Sequence, residues 1–245
     1  METIKSSPQN ICEVFATKSS LDWLRKTSLS DKLAKLKKPI LEASKDAFEQ
    51  AVPGLVHQGV VTTLNQRRLF SLKELIQISA RSNASGIIVA LDELQDPQNM
   101  GAVLRVAECG GVDGVIGTKR RSVGITPAVA KASAGASETM PISLVTNLNE
   151  ALKELKNNGF WIIGTDAGKQ ANNLFETKLP SEPIVLVFGS EGKGLRRLVK
   201  EHCDIMLKIP LMGKIESLNV SQAASILLFE ALRQRAFSSV KAKMK

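Results

Sequence analysis

The stretch IIVALDELQDPQNMGAVLRVAECGG, residues 87–111, decides the fold class. An apolar, β-branched run ends in acidic and turn-forming residues, and a helical pattern begins directly after them. This helical pattern carries a cation, Arg105, in its second turn. A strand that passes through a polar loop into a helix is typical of α/β proteins, whose ligands bind at the carboxyl ends of the strands. We therefore expect a ligand site in the loop that follows this strand.

The same alternation of strand and helix continues toward the C-terminus. Short runs of mostly β-branched residues predict strands at 87–91, 114–117, 161–165, 184–188 and 205–209. Helical patterns separate them at 101–110, 126–136, 148–158, 194–201 and 217–236. Because parallel strands need crossover helices on the faces of the sheet, this order predicts an α/β fold with a mainly parallel sheet.

The sequence before this alternation has a different character. Residues 1–65 combine short apolar stretches with basic helical pieces and end in a strand-like run at 54–64. An amphipathic helix near 71–80 and a Ser/Asn/Gly stretch follow. We predict a small domain at 1–65, a linker at 66–85 and a larger domain at 86–245.

Composition limits the classes of partner and site. Lys and Arg number 33 against 24 Asp and Glu, so the net charge is +9. This balance favours a polyanionic partner such as nucleic acid or an anionic membrane surface, although a basic surface is also common without one. The three cysteines are far apart with no CxxC pair, and two histidines are too few for a His-rich metal centre. The absence of a long apolar run and of a secretory signal favours a cytoplasmic protein without metal or membrane.

A glycine-rich loop follows another buried run in IVLVFGSEGKGLRRLVKEH, residues 184–202. Its register fits neither a P-loop nor GxGxxG, so it is not an ordinary nucleotide-phosphate site. The glycines would still let a ligand lie against main-chain groups. The basic residues at the following helix start form a rim suited to phosphates: Lys193, Arg196, Arg197 and Lys200. The alternative is a tight turn before a solvated helix, which leaves Glu191 unexplained.

A third polar block lies in LKIPLMGKIESLNVSQAASILLFEALRQR, residues 207–235. Pro210 and Gly213 break the chain after a strand, and Ser217 is predicted to be the N-cap of the long helix that follows. Asn219 and Ser221 add polar groups to the same helix start. The small residues in this helix favour unusually close packing against another piece of backbone.

These three blocks, in this order and over roughly residues 85–236, resemble the SpoU (TrmH) group of the SPOUT superfamily, the RNA ribose 2'-O-methyltransferases. The motif positions are, for the first block, Asp96, Pro97, Asn99, Gly101 and Arg105; for the second, Gly189, Glu191, Gly192, Gly194 and Leu195; and for the third, Ile209, Pro210, Gly213, Ser217, Leu218, Asn219 and Ser221. Segments 55–61, 119–122, 200–204 and 229–235 look most like the bacterial enzymes that methylate a guanosine ribose in large-subunit ribosomal RNA.

The resemblance implies an architecture and a set of partners. It implies a C-terminal trefoil knot, a small α/β RNA-binding domain before the catalytic domain, and a homodimer. The usual opening Gly-x-His-x-Val element is absent before residues 11–18, so the small domain is expected to be N-terminally shortened.

The resemblance also implies roles for individual residues. S-adenosylmethionine is expected against the main chain at Gly189, Ile209 and Leu218. RNA phosphates are expected at Lys193, Arg196 and Arg197. At the reacting centre we expect Arg105 to act on the ribose 2'-oxygen, with orientation supplied by Asn99, Glu191, Ser217 and Asn219.

Three alternatives stay open from the sequence. A transfer-RNA ribose 2'-O-methyltransferase would use the same chemistry on another RNA. A catalytically silent RNA-binding assembly protein would keep the fold only as a scaffold, which the intact motifs disfavour. A nicotinamide-dependent α/β enzyme is disfavoured because GxGxxG is missing.

Overall fold

The computed structural model describes residues 11–54, 57–64, 68–81, 86–166, 168, 171–192, 194–215 and 217–243, with side chains up to residue 235. The chain divides into two units, Met1–Arg68 and Leu69–Lys245.

The first unit is a small α/β domain. Its elements are β1 (Ile11–Ala16), α1 (Lys18–Arg25), α2 (Ser28–Lys35), β2 (Ile40–Glu42), α3 (Lys45–Ala51) and β3 (Val60–Leu64). The sheet order is β2-β1-β3, with β1 parallel to β2 and antiparallel to β3. The predicted strand at 54–64 begins only at Val60, because Gln58 and Gly59 have φ values of 50° and 79°, which extended backbone does not adopt. Leu55 and Val56 lie outside the described residues.

The second unit contains a seven-stranded sheet in which every neighbouring pair is parallel. The sheet order is β6-β5-β4-β9-β7-β10-β8. The elements are α4 (Leu72–Arg81), β4 (Ile87–Leu91), α5 (Pro97–Cys109), β5 (Gly114–Thr118), α6 (Pro127–Ala132), α7 (Ala136–Thr139), β6 (Ile142–Val145), α8 (Leu148–Asn157), β7 (Trp161–Thr165), β8 (Asn172–Asn173), β9 (Ile184–Phe188), α9 (Arg197–His202), β10 (Ile205–Lys208) and α10 (Val220–Lys243). The predicted parallel α/β sheet is confirmed, and the trefoil knot stays a prediction.

Two apolar cores, one on each face of the sheet, explain the uninterrupted apolar runs. In β4, Ile87, Val89 and Leu91 belong to one core, and Ile88 and Ala90 belong to the other. Helices α5 and α10 pack in the first core and α4, α8 and α9 in the second, through residues such as Leu104, Leu227, Leu75, Leu155 and Val199. Strands buried on both faces lose the alternation of polar and apolar residues, as the sequence predicted.

Several element boundaries differ from the predicted ones for local reasons. Helix α5 begins at Pro97 rather than 101, because proline is well accommodated at the first helical position. The predicted helix at 126–136 is two short helices, since Ala134 and Gly135 have φ values of 51° and 91°. The strands β6 and β8 were not predicted. The segment 66–85 contains α4, whose Leu75 is fully buried in the second core.

Cys203 is a packing residue. A Cβ atom added at Gly164 would lie 2.6 Å from the Cys203 Sγ atom and 2.9 Å from the Leu195 Cδ1 atom, so this part of the core is tightly filled. Burial raises the pKa of the Cys203 thiol to about 12. A thiol that stays protonated is a poor nucleophile, which is consistent with a packing role for Cys203.

Neither a metal site nor a membrane span is found within the described residues. No group of His, Cys, Asp and Glu side chains there could hold a metal ion. No helix in that part of the chain is both long and apolar enough to cross a bilayer.

Candidate active site

Three polar loops leave the carboxyl edge of the sheet, after β4, β9 and β10. Strand β9 pairs directly with β4, although it is formed almost a hundred residues later in the sequence. Strand β7 lies between β9 and β10. Since carboxyl ends of parallel strands share one edge, this order places all three sequence motifs at the same edge.

A hydrogen-bonded cluster of Asn99, Glu191 and Asn219 joins the three motifs. The Asn99 Nδ2 atom donates to the Glu191 Oε1 atom at 2.6 Å. The Asn219 Nδ2 atom donates to the same carboxylate oxygen at 2.8 Å and to the Asn99 Oδ1 atom at 2.8 Å. Each motif contributes one residue, so the structure brings together three of the five residues expected at the reacting centre.

Asp96 positions Asn99 in the first turn of α5. The Asp96 carboxylate accepts hydrogen bonds from the main-chain N–H groups of Gln98 and Asn99, at 3.2 and 3.3 Å. It is therefore the N-cap of α5, with Pro97 at the first helical position. This capping fixes the helix start, and Asn99 is buried there with 6% of its surface exposed.

Asn219, rather than Ser217, caps helix α10. The helix begins at Val220, and the Asn219 Oδ1 atom accepts from the Ser221 N–H group at 2.8 Å and from the Ser221 hydroxyl at 2.6 Å. The prediction that Ser217 is the N-cap is wrong because the chain turns into the helix two residues later. Ser217 is exposed and has no hydrogen bond to any described residue.

Asn219→Ala is expected to lower the free energy of unfolding by about 1 kcal/mol through loss of the cap. Ser217→Ala should change it by less than about 0.5 kcal/mol, because an exposed side chain without partners contributes little. Urea unfolding of both variants measures the difference. Equal destabilisation by the two substitutions would contradict this assignment of the cap.

The glycine-rich loop after β9 is a tight hairpin that carries Glu191 near its tip. Ser190 and Gly194 form an isolated antiparallel bridge, in which the Gly194 N–H group donates to the Ser190 carbonyl at 2.9 Å. Gly192 and Gly194 have φ values of 76° and 64°, which favour glycine. The tight turn considered as an alternative is therefore present, and it holds the Glu191 carboxylate toward Asn99 and Asn219.

Arg196, at the end of this loop, forms hydrogen bonds and ion pairs with the residues that follow β4. Its main-chain N–H group donates to the Asp92 Oδ2 atom at 3.0 Å, and its guanidinium lies 2.6 Å from Asp92 Oδ1 and 2.9 Å from Glu93 Oε1. The Asp92 side chain is fully buried. The hydrogen bond to Asp92 raises the pKa of Arg196 above its ordinary value, although desolvation opposes the shift. The charge that the sequence assigned to RNA phosphates is therefore paired within the protein.

The other predicted cations differ in their surroundings. The Arg197 side chain is 83% exposed, and its guanidinium lies 2.7 Å from the Glu201 carboxylate one turn later. Lys193 lies outside the described residues.

Arg105 is exposed on α5 and is not part of the polar cluster. It lies about 120° around the helix from Asn99, given about 100° per residue. Within the described part of the chain its guanidinium has no hydrogen bond or ion pair, and the surface pair with Glu108 that its spacing would allow does not form. The cation is thus available to a ligand.

The three positions expected to hold a cofactor have free main-chain groups. Among the described residues, the N–H and C=O groups of Gly189, Ile209 and Leu218 have no hydrogen-bond partner. Ile209 and Leu218 are half-buried, so their side chains offer partly shielded apolar surface. The edge of the sheet can therefore accept a ligand with both a polar edge and an apolar ring.

The sequence patterns did not reveal the role of Asp92 and Glu93. They follow β4 directly and together hold Arg196 through its guanidinium. Two consecutive carboxylates after a fully apolar strand were the available signal. Their partner could not be identified because Asp92 and Arg196 are 104 positions apart.

Comparison with known proteins agrees with this fold. The solved structure of an AdoMet-bound rRNA methyltransferase from Sinorhizobium meliloti superposes with a TM-score of 0.76 at 22% identity, over 95% of this chain and 85% of that chain. The fold is therefore that of this class of methyltransferase. The family model described as SpoU rRNA Methylase family matches residues 86–229. The chain belongs to the SpoU rRNA methylase family.

Similar sequences carry names consistent with that family. The TrmH family tRNA/rRNA methyltransferase YacO of Bacillus subtilis is 44% identical over 188 residues, which cover 77% of this chain and 74% of the relative. The 23S rRNA (guanosine-2'-O-)-methyltransferase RlmB of Pseudomonas putida is 40% identical over 197 residues, which cover 80% of this chain and 78% of the relative.

Proposed function

We propose that this protein transfers a methyl group from S-adenosylmethionine to the ribose 2'-hydroxyl of a guanosine in large-subunit ribosomal RNA. The observation that carries the proposal is the cluster of Asn99, Glu191 and Asn219, which unites the three family motifs at one edge of the sheet. The name of the RlmB relative supports guanosine in 23S rRNA as the substrate.

The residues at this edge fit S-adenosylmethionine. Bound there, it would supply a methyl group on a positively charged sulfur. The unpaired main-chain groups of Gly189, Ile209 and Leu218 would hydrogen-bond its polar edges, and the half-buried Ile209 and Leu218 side chains would flank its adenine ring. Glycine at 189 lets the hairpin close against its own backbone, because a Cβ atom there would lie 2.1 Å from the Gly194 carbonyl carbon.

Arg105 is proposed to act electrostatically at the reacting oxygen. The 2'-oxygen becomes more negative as its proton leaves to solvent water, and this charge falls again as the bond to the methyl carbon forms and the carbon–sulfur bond breaks. A guanidinium keeps its charge across the physiological pH range, so it stabilises this oxygen rather than removing the proton. The unpaired, exposed state of Arg105 on α5 supports this role, because no protein carboxylate neutralises it within the described residues.

The polar cluster is proposed to orient the ribose. Glu191 fixes both asparagine amides, which keeps their positions constant while the substrate binds. Ser217, exposed just before the α10 cap, would offer its hydroxyl to the same ribose. Arg196 would act indirectly, because its ion pairs with Asp92 and Glu93 hold the loop after β9 to the end of β4. Lys193 and Arg197 would contact RNA phosphates.

The remaining architecture is also a proposal. We place RNA binding in residues 1–65 and catalysis in residues 86–245, with α4 of the predicted linker 66–85 packed in the second core. A homodimer is supported by large exposed apolar side chains on and before α10: Met212 is 99%, Ile215 79% and Phe229 51% exposed. A monomer in equilibrium sedimentation at micromolar concentration would contradict the dimer.

Methyl transfer from labelled S-adenosylmethionine tests the function. Unmodified large-subunit ribosomal RNA and unmodified bulk transfer RNA would be offered separately, and the labelled nucleoside identified. We expect 2'-O-methylguanosine in ribosomal RNA. Label only in transfer RNA would overturn the substrate, an alternative that the tRNA/rRNA name of the YacO relative supports. Undetectable S-adenosylmethionine binding in calorimetry would favour the catalytically silent RNA-binding protein. Cofactor binding without label in either RNA would indicate that methylation requires a partner or a precursor particle.

A further inference from the structure

A basic turn follows β5 beside the candidate active site. Lys119, Arg120 and Arg121 are consecutive and exposed, and they come directly after the last residue of that strand. Strand β5 pairs with β4, so the turn shares the carboxyl edge with the loop that leads to Asn99. Neighbouring strands lie about 5 Å apart, which brings the turn within reach of a ligand at that edge.

Hydrogen bonds hold this turn in one conformation. The hydroxyl of Thr118, a buried residue, donates to the Arg120 carbonyl at 3.0 Å and pairs with the Ser122 hydroxyl at 2.5 Å. The Lys119 N–H group donates to the Val145 carbonyl of β6 at 2.9 Å. The three cations are thus displayed from a fixed backbone, so little backbone conformational entropy is lost when they bind a partner.

Two contacts also join this turn to the loop between β4 and α5. The Arg121 guanidinium lies 3.6 Å from the Glu93 carboxylate, which is also bound by Arg196. Arg121 and Glu93 both have positive φ, 59° and 57°, a conformation that is unfavourable for side chains of this size. The Val123 N–H group donates to the Leu94 carbonyl at 2.8 Å. Backbone strain retained at two facing positions is typical of functional sites.

Lys119 and Arg120 differ from Arg196 and Arg197 because their charges are free among the described residues. Neither side chain has a hydrogen bond or ion pair with any described residue. By contrast, Arg196 is bound by Asp92 and Glu93, and Arg197 by Glu201. Free cations on a rigid turn suit phosphate groups, which attract cations regardless of base sequence.

We infer that Lys119 and Arg120 bind phosphates of the RNA strand that flanks the reacting ribose, on the β5 side of the active site. The inference rests on the proposed function and extends it, because it identifies which surface holds the substrate backbone. Arg121 acts as a positioning residue, since its contact with Glu93 couples the turn to the loop that carries Arg196.

The test compares two double variants of the full chain with equal loss of charge. Lys119→Ala with Arg120→Ala removes the proposed phosphate contacts. Lys73→Ala with Lys153→Ala removes two exposed cations from α4 and α8. The dissociation constant for a labelled transcript of large-subunit ribosomal RNA is measured over a range of salt concentrations, and S-adenosylmethionine affinity is measured by calorimetry.

Loss of two phosphate contacts on single-stranded RNA should reduce the slope of log affinity against log salt by about 1.4. We expect about tenfold weaker binding at low salt, a raised KM for RNA, and unchanged kcat and cofactor affinity. The control should keep the wild-type slope.

An unchanged slope, or an equal change in the control, would overturn the inference. RNA binding is measured without turnover, so this outcome is distinct from failure of the proposed function, which would appear as wild-type protein that methylates neither RNA.

Discussion

Replacing Arg105 by alanine is expected to lower kcat by about 10²- to 10³-fold, the usual effect of losing a group that stabilises charge in the transition state. The affinity for S-adenosylmethionine should change little, because the proposed cofactor contacts are main-chain groups of Gly189, Ile209 and Leu218. Single-turnover methyl transfer measures the chemical step, and calorimetry measures cofactor binding. The folded state should be unaffected, since Arg105 is exposed and has no partner among the described residues.

Two further variants separate a specific role of Arg105 from a general one. Glu108→Ala, at another exposed position of α5, should keep wild-type turnover. Arg105→Lys should keep part of the activity, because a lysine retains the charge without the planar fork of a guanidinium. Wild-type turnover in Arg105→Ala would rule out this residue as the source of charge stabilisation.

Replacing Gly189 by alanine is expected to cost about 3 kcal/mol of folding stability and to abolish measurable cofactor binding. The added Cβ atom would lie 2.1 Å from the Gly194 carbonyl carbon, 2.3 Å from its oxygen and 2.4 Å from the Leu195 nitrogen. These are backbone atoms, so no side-chain rotation relieves the overlap. The hairpin would have to open, which moves Glu191 away from Asn99 and displaces the main chain proposed to bind the cofactor.

Two other glycines serve as graded controls for this effect. A Cβ atom at Gly124 would meet no atom within 4 Å and its φ is not positive, so Gly124→Ala should be nearly neutral. Gly192 also has open space but a φ of +76°, so Gly192→Ala should cost about 1 kcal/mol through backbone strain alone. Urea unfolding should order the three variants accordingly. Comparable stability of Gly189→Ala and Gly124→Ala would show that the hairpin adapts.

Local sequence patterns predicted most elements of the second unit. The strands at 87–91, 161–165 and 184–188 have the predicted bounds because burial on both faces demands unbroken apolar runs. The strand Ile142–Val145 was missed because it is short and contains a buried polar residue, Ser143. The start of α10 was misplaced because Ser217 and Asn219 are both good caps, and only the path of the chain selects between them.

Local sequence patterns did not predict which charged residues pair with one another. Arg196 has the sequence context of a surface cation at a helix start, which favours a phosphate contact. Its actual partner is the buried Asp92, 104 positions earlier. No local periodicity encodes such a pair, since it depends on β9 lying next to β4.

The sequence by itself determined the type and approximate extent of the elements and the position of each motif at the end of a strand. These properties follow from side-chain periodicity and from hydrogen bonds between near neighbours along the chain. The tertiary structure alone decided that β9 lies between β4 and β7 and pairs with both. This strand order brings Glu191 into contact with Asn99, although the two residues are 92 positions apart in the sequence. Strand order is set by packing among distant segments, so the active-site cluster exists only once the sheet has formed.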